Sequence, residues 1–310
     1  MKDKKVFVTG GAGFIGSHIA EQLSNDNEVL VLDDLSTGRE GNLSSFRERV
    51  KFHEGSILHL DLLREVMKDI DYVFHEAALP SVERSMKDPA TTNTVNVKGT
   101  LNVLEAAREN NVEKVVYASS SSVYGASQTL PKVETMPAEP ISPYGVSKLA
   151  TEHYCRVYNE IFDLRTTSLR YFNVYGPRQD PKSEYAAVVP RFITRALAGE
   201  KLIIYDDGNQ IRDFTFVLDV VEANILAAEN KDSDGEVLNV ACGSTTKVND
   251  LAEMVFELVG RNTGVEHAPP RPGEIRDSWA DISKAKRLLG FDPKHSMRKG
   301  MEFTVESFRS

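Results

Sequence analysis

Apolar residues in this chain follow two alternating rhythms. Short runs rich in β-branched and aromatic residues occur at 6–8, 29–32, 50–55, 72–75, 115–118, 165–170 and 236–241. Between them, apolar positions recur every three or four residues, most clearly over 96–110 through Val97, Leu101, Leu104 and Ala107. The compact runs read as buried strands. The spaced segments read as amphipathic helices over 17–23, 61–67, 96–110 and onward from Ser142. Strands alternating with helices predict an α/β fold built on a doubly wound parallel sheet, the Rossmann arrangement.

Past Arg170 the rhythm changes. Residues 171–181 are loop-like, and helices are expected over 189–198 and 219–229. The second of these, with the run at 236–241, returns to the sheet. The expected organisation is a nucleotide-binding domain of residues 1–170 plus about 217–241, and a smaller interleaved α/β lobe of 171–216 plus about 242–310. No internal repeat or low-complexity linker interrupts either part.

In sheets of this class, ligands bind beyond the carboxyl ends of the strands. The residues just past those ends are a glycine turn, Asp33, Ala77-Ala78, a serine run at 119–122 and Asn173. The glycine turn reads Gly10-Gly11-Ala12-Gly13-Phe14-Ile15-Gly16. Its spacing permits a tight turn, close approach of a pyrophosphate and close packing of helix on strand. Asp33 follows 17 residues after Gly16, where a carboxylate receives a ribose hydroxyl and repels a 2′-phosphate. NAD is therefore the expected cofactor.

Composition narrows the setting. The chain has 310 residues, 41% hydrophobic and 27% charged, which suits a globular protein with a substantial core. Its net charge of −9 and lack of a basic tract argue against nucleic acid as a partner. No apolar run approaches the ~18 residues of a membrane span or the core of a signal peptide, so a cytoplasmic, membrane-free enzyme is expected. Cys155 and Cys242 are too few for a disulfide framework, and no His, Cys and carboxylate cluster has metal-ligand spacing. Asp206-Asp207 before Gly208-Asn209 reads as a turn.

Tyr144 and Lys148 stand one helical turn apart, just after the N-cap Ser142 and the N1 residue Pro143. A nearby ammonium favours a phenolate, so the pair predicts an acidified tyrosine able to exchange a proton with a substrate hydroxyl. Taken alone, the spacing is better explained by a solvated helix face. With a dinucleotide turn and a serine-rich strand end close by, it suits hydride removal from a secondary alcohol. Arg212 and Arg271, both in extended or turning segments, suit a diphosphate, although surface ion pairing is the plainer reading of each. His18 and His75 read as packed histidines.

Thr9–Gly16, Tyr144-x-x-x-Lys148 and Arg271-Pro272-Gly273-Glu274 together resemble the extended short-chain dehydrogenase/reductase family along essentially the whole chain. Within it the chain is most similar to the UDP-hexose 4-epimerases. The resemblance implies tightly held NAD, oxidation at carbon 4, rotation of the keto-sugar and return of the hydride. It implies Ser120, Tyr144 and Lys148 as the catalytic set. It adds Phe14, Ile15, Asp34, Ser36, Thr37, Gly38, Ser56, Ile57 and Asn96 to the cofactor residues. Ser120, Ser121, Ser122, Asn173, Val188, Tyr205, Arg212, Arg271, Asp277 and Ser278 become the substrate residues. Ser56 departs from the family, whose members usually carry an aspartate there against adenine. Dehydratases and decarboxylases of the family carry an acid just before Val123-Tyr124-Gly125, and residues 119–122 contain none. Ser278 matches a site that is tyrosine in strict UDP-glucose enzymes, so plain and N-acetylated UDP-hexoses are both expected as substrates. The alternatives are a UDP-glucuronate 4-epimerase, disfavoured by Asn173 in place of threonine, and a dehydrogenase or reductase that releases its cofactor. Family members commonly pair as homodimers through helices such as those from Val95 and Tyr144.

Overall fold

The computed structural model describes residues 1–181, 187–270 and 275–309. Seven parallel strands form its sheet: β1 (Lys5–Thr9), β2 (Glu28–Asp33), β3 (Val50–Glu54), β4 (Tyr72–His75), β5 (Lys114–Ser120), β6 (Arg165–Tyr171) and β7 (Val237–Val240). Their order is β7-β6-β5-β4-β1-β2-β3. Val6 of β1 pairs with Val29 on one side and Tyr72 on the other, so the winding reverses at β1 and β4. This is the doubly wound α/β arrangement expected from the alternation, and the reversal opens a crevice above the strand ends.

Both faces of the sheet are covered, which explains runs of unbroken apolar residues in place of strict alternation. On one face, Ile19, Ala20 and Leu23 of helix α1 (Phe14–Leu23) pack with Val220, Val221 and Ala227 from a helix at Val217–Glu229 against Val6, Val8, Val29 and Val31. On the other, Val103, Leu104 and Ala107 of helix α2 (Gly99–Glu109) join Cys155 and Tyr158 of helix α3 (Pro143–Ile161) over Phe7, Val73 and Val115. The segment Thr94–Lys98 winds as a π-turn into α2. Its wider turn shifts the phase of the apolar stripe, so the 3.6-residue rhythm marks the start of the helix poorly.

The second lobe packs helices Val188–Ala198, Val248–Val259 and Met297–Arg309 around Phe192, Ile193, Leu251, Val255 and Met301. A short parallel pair, Leu202–Tyr205 with Val265–Ala268, covers this core. The chain then crosses back. Ala285, Leu289 and Phe291 enter the sheet's own cluster beside β7.

Candidate functional site

The glycine turn closes because two of its positions leave no room for a side chain. Gly10 has φ +66°, and a Cβ there would lie 2.6 Å from the Ala77 amide nitrogen. A Cβ on Gly16 would lie 2.3 Å from the Gly10 carbonyl oxygen. Gly13 caps α1 without a side-chain hydrogen bond, and no acid occupies the first turn. The free amides at this helix end therefore face the crevice, where they suit a phosphate. The Asp33 carboxylate is fixed by the amides of Ala12 at 3.0 Å and Leu35 at 2.9 Å. Burial raises its pKa while those amides hold it down.

A cavity of about 230 Å³ runs from this turn to α3. It is lined by Gly10, Gly13, Phe14, Ile15, Gly16, Asp33, Asp34, Ser36, Thr37, Ile57, Ala77, Ala78, Tyr144 and Lys148, among others. Three residues of the expected cofactor set do not line it. Gly38 backs directly onto Asp33, where its Cβ would lie 2.6 Å from Oδ1. The Ser56 hydroxyl accepts from the Leu58 amide at 3.4 Å. Asn96, 1% exposed, accepts from the Leu79 amide at 2.8 Å and donates to Ser147 Oγ at 3.0 Å. It staples the loop after β4 to α3. The cradle at Gly10 and Gly16, the free helix end and the anchored Asp33 carboxylate fit a dinucleotide with an unmodified ribose.

At the far end of the cavity stand the catalytic candidates. Ser142 caps α3 by accepting from the Gly145 amide at 3.1 Å, and Pro143 opens the helix. Lys148 is 3% exposed, and its ammonium donates to the Ala118 carbonyl at 2.7 Å. Burial lowers its pKa to about 8. Tyr144 reverses the expectation of an acidified phenol. Burial pushes it up to about 12, opposed by a hydrogen bond with Ser120 and reinforced by Glu76. Removing the phenol from water outweighs any help from Lys148, whose charge is turned toward Ala118. Ser120 Oγ also accepts from the Ser122 amide at 3.2 Å, ending β5 in a short turn over Ser121–Tyr124. Ser121 and Ser122 are half-buried in that turn, and Ser122 Oγ has no hydrogen-bond partner among the described residues.

A second cavity of about 430 Å³ is lined by Asn173, Val188, Tyr205 and Arg212, with Phe192, Gln210 and Phe214. Asn173 donates to the Asp213 carbonyl at 2.9 Å. The Arg212 guanidinium donates to the carbonyls of Ile211 at 3.0 Å and Ile275 at 2.8 Å, and to that of Arg276. Asp277 accepts from the Ile211 amide at 2.8 Å. Ser278 is joined to the same short strand through its backbone, donating to Ile211 and accepting from Asp213, both at 3.0 Å. Arg271 lies outside the described residues.

Two acids, one behind the second cavity and one in the first, escaped the sequence reading. Asp213 is fully buried, and its carboxylate accepts from the amides of Cys242 at 2.9 Å and Gly243 at 3.1 Å. Burial raises its pKa to about 6. Glu76 lines the first cavity beside Tyr144 and Lys148, and accepts from the Tyr171 hydroxyl at 2.8 Å. Its place between a strand end and Ala77-Ala78 was the available signal. Both histidines are packed as expected: His18 bonds to the Phe14 carbonyl at 3.0 Å, and His75 lies between Thr9 at 2.7 Å and Thr100 at 2.9 Å. Among the described residues no His, Cys, Asp and Glu cluster could hold a metal, and no helix is long and apolar enough to cross a membrane.

A cavity with a phosphate-accepting helix end at one side and a serine, a tyrosine and a lysine at the other can bring a hydroxyl-bearing carbon to a dinucleotide. Comparison with known proteins agrees in kind. The model of the NAD dependent epimerase/dehydratase family matches residues 6–241. UDP-glucose 4-epimerase from Mycolicibacterium smegmatis is 41% identical, over 99% of this chain and 99% of its own. Among solved structures, UDP-N-acetylglucosamine 4-epimerase from Methanobrevibacter ruminantium M1, in complex with UDP-N-acetylmuramic acid, is 41% identical. It superposes with a TM-score of 0.96 over 100% of this chain and 99% of that one. The UDP-glucose 4-epimerase of Thermus thermophilus, in complex with NAD, is 39% identical, with a TM-score of 0.90 over 99% of each chain.

Proposed function

We propose that this chain, which belongs to the NAD dependent epimerase/dehydratase family, inverts carbon 4 of UDP-hexoses, both plain and N-acetylated. The observation that carries the reading is that Tyr144 and Lys148 line one end of a cavity whose other end is the glycine turn and Asp33, with Ser120 just behind its wall and hydrogen-bonded to Tyr144. The glycine turn and α1 would hold the pyrophosphate of NAD, and Asp33 its adenosine ribose. When bound, NAD accepts a hydride from carbon 4 and gives it back.

The chain's own residues do the rest. Ser120 holds the 4-hydroxyl against Tyr144, which must first release to solvent the proton that burial makes it keep, a loss the positive charges of Lys148 and of bound NAD would favour. Its oxygen then takes the hydroxyl proton as the carbon is oxidised. The same tyrosine returns the proton once the 4-keto sugar presents its other face. Lys148 holds a positive charge beside Tyr144 and offers a donor to the cofactor's ribose. The cavity at Asn173, Val188, Tyr205 and Arg212 would take the UDP moiety, and the segment carrying Ser278 would flank the 2-substituent of the sugar. A serine there leaves space for an acetamido group.

The chain also acts as a homodimer in this reading. Val146, Tyr154, Val157 and Ile161 of α3 are 53%, 38%, 40% and 67% exposed. They recur at helical spacing, so they form one uncovered apolar stripe.

The deciding experiment incubates purified protein with UDP-N-acetylglucosamine, UDP-glucose and UDP-glucuronate in turn, without added reductant, and reads the anomeric protons by NMR. Conversion of the first two is expected. Failure to interconvert any carbon-4 pair while NAD is bound would sink the epimerase reading. Conversion of UDP-glucuronate alone would assign the activity to that sugar instead.

A further inference from the structure

The catalytic account leaves one acid of the cofactor cavity without a task. Glu76 follows β4 directly, and its side chain lines the same cavity as Tyr144 and Lys148. Its Oε1 is held by Tyr171 at 2.8 Å. That hydroxyl is in turn oriented by Asn224, whose amide nitrogen donates to it at 2.8 Å while also donating to the Val220 carbonyl at 2.8 Å. The single Tyr171 proton has two acceptors within reach, Glu76 Oε1 at 2.8 Å and Asn224 Oδ1 at 3.1 Å, and the contact to Glu76 is the shorter. The other carboxyl oxygen, Oε2, has no hydrogen-bond partner among the described residues. The result is a carboxyl fixed in place by one oxygen, with the second left for whatever enters the cavity.

The groups facing Glu76 make its charge conditional. Lys148 and Tyr144 approach from α3, Tyr171 from β6 and the neutral Asn224 from the helix Val217–Glu229. His75, its neighbour in the chain, is buried, neutral at ordinary pH and bonded away from it to Thr9 and Thr100. Burial raises the Glu76 carboxyl to about 7, with the Tyr171 hydrogen bond and Lys148 pulling the other way. A carboxyl raised this far changes charge near neutral pH, and a modest change of local charge moves it either way.

We propose that Glu76 is a charge-sensing contact for the cofactor ring, and that its ionised carboxylate retains oxidised NAD in preference to the reduced form. The oxidised nicotinamide ring carries a positive charge and the reduced ring none. A carboxylate at this end of the cavity favours only the first. Glu76 would release its proton to solvent beside the oxidised ring and keep it beside the reduced ring. An enzyme that must return each hydride to its own substrate gains from this bias, because it disfavours a pocket stranded in the reduced state.

The inference rests on NAD occupying this cavity, and the test separates the two. Apoprotein is titrated with NAD and NADH at pH 5.5 and pH 7.5, by tryptophan quenching and calorimetry, for the native chain and Glu76→Gln. For the native chain, the ratio of NAD to NADH affinity should rise about tenfold between the two pH values, the equivalent of one unit of coupling. Calorimetry in buffers of different ionisation heat should show proton release with NAD and none with NADH. In Glu76→Gln the ratio should be flat and the proton release absent. A ratio independent of pH in the native chain overturns the proposal, as does an unchanged rise in the variant. Failure of both nucleotides to bind would overturn the cofactor reading itself. The native titration needs no variant, so a poorly folding Glu76→Gln still leaves the question answered.

Discussion

The Lys148 ammonium donates to the Ala118 carbonyl at 2.7 Å and stands 5.9 Å from the centre of the Tyr144 ring. A lysine held in this way is tethered to the end of β5 and not to the phenol it is expected to serve. Its buried charge is costly, since its pKa falls from 10.5 to about 8. Between those pH values the unfolded chain keeps a proton that the folded chain has released. Stability therefore rises with pH from about 8 to 10.5, by on the order of 3 kcal/mol from this group. Lys148→Met removes the buried charge at similar volume. The variant should be more stable than the native apoprotein at pH 7, lack that rise at high pH, and lose activity. Urea denaturation at pH 7 and pH 10 measures the first two.

Tyr144→Phe keeps the ring and removes the oxygen. Turnover should fall by roughly 10²–10⁴-fold, the usual worth of a positioned acid–base group. NAD should remain bound, because the glycine turn and Asp33 are untouched. Single-turnover kinetics with cofactor quantified after denaturation separates the two effects.

Ser278→Tyr should shift the sugar preference without abolishing epimerisation. Ser278 is pinned through its backbone to Ile211 and Asp213, so a larger side chain cannot be accommodated by sliding the segment away. The kcat/KM for UDP-N-acetylglucosamine relative to UDP-glucose should drop by ~10–200-fold, the range one pocket contact commands. An unchanged ratio would remove Ser278 as the selectivity determinant.

Ile161 is 67% exposed at the end of the α3 stripe. Ile161→Asp should leave folding intact and convert a dimer to a monomer in light scattering. A native chain that is already monomeric refutes the dimer directly.

Gly16→Ala introduces a Cβ 2.3 Å from the Gly10 carbonyl oxygen. Backbone must move, at a cost of ~1–3 kcal/mol typical of overpacking. Calorimetric binding should show NAD affinity falling together with melting temperature.

Much of the fold was legible because each strand and helix carries its own rhythm, and parallel strands buried on both faces read as unbroken apolar runs. Gly10, Asp33, Tyr144 and Lys148 were legible for a related reason: each sits at a fixed offset from a strand or helix end. Other features depend on partners distant in sequence. Asp213 meets Cys242 and Gly243 across some 30 residues, and Glu76 meets Tyr171 across 95. The protonation of Tyr144 was misjudged for a similar reason, since spacing reports the neighbouring ammonium but not the loss of water around the phenol. Asn96 ties the loop after β4 to α3, a contact between elements that spacing along one chain segment does not report.

The Asp213 carboxylate has a consequence for how sugar specificity could be transplanted. Just past the short strand Ile211–Arg212 it fastens the loop that leaves β7, while its backbone amide holds the Ser278 segment. If the Ser278 segment sets sugar preference, as proposed, a segment exchanged between related enzymes would inherit its placement from a clasp outside its own sequence. Chimeras that carry residues 275–281 alone should keep their donor's preference only where the recipient retains this aspartate.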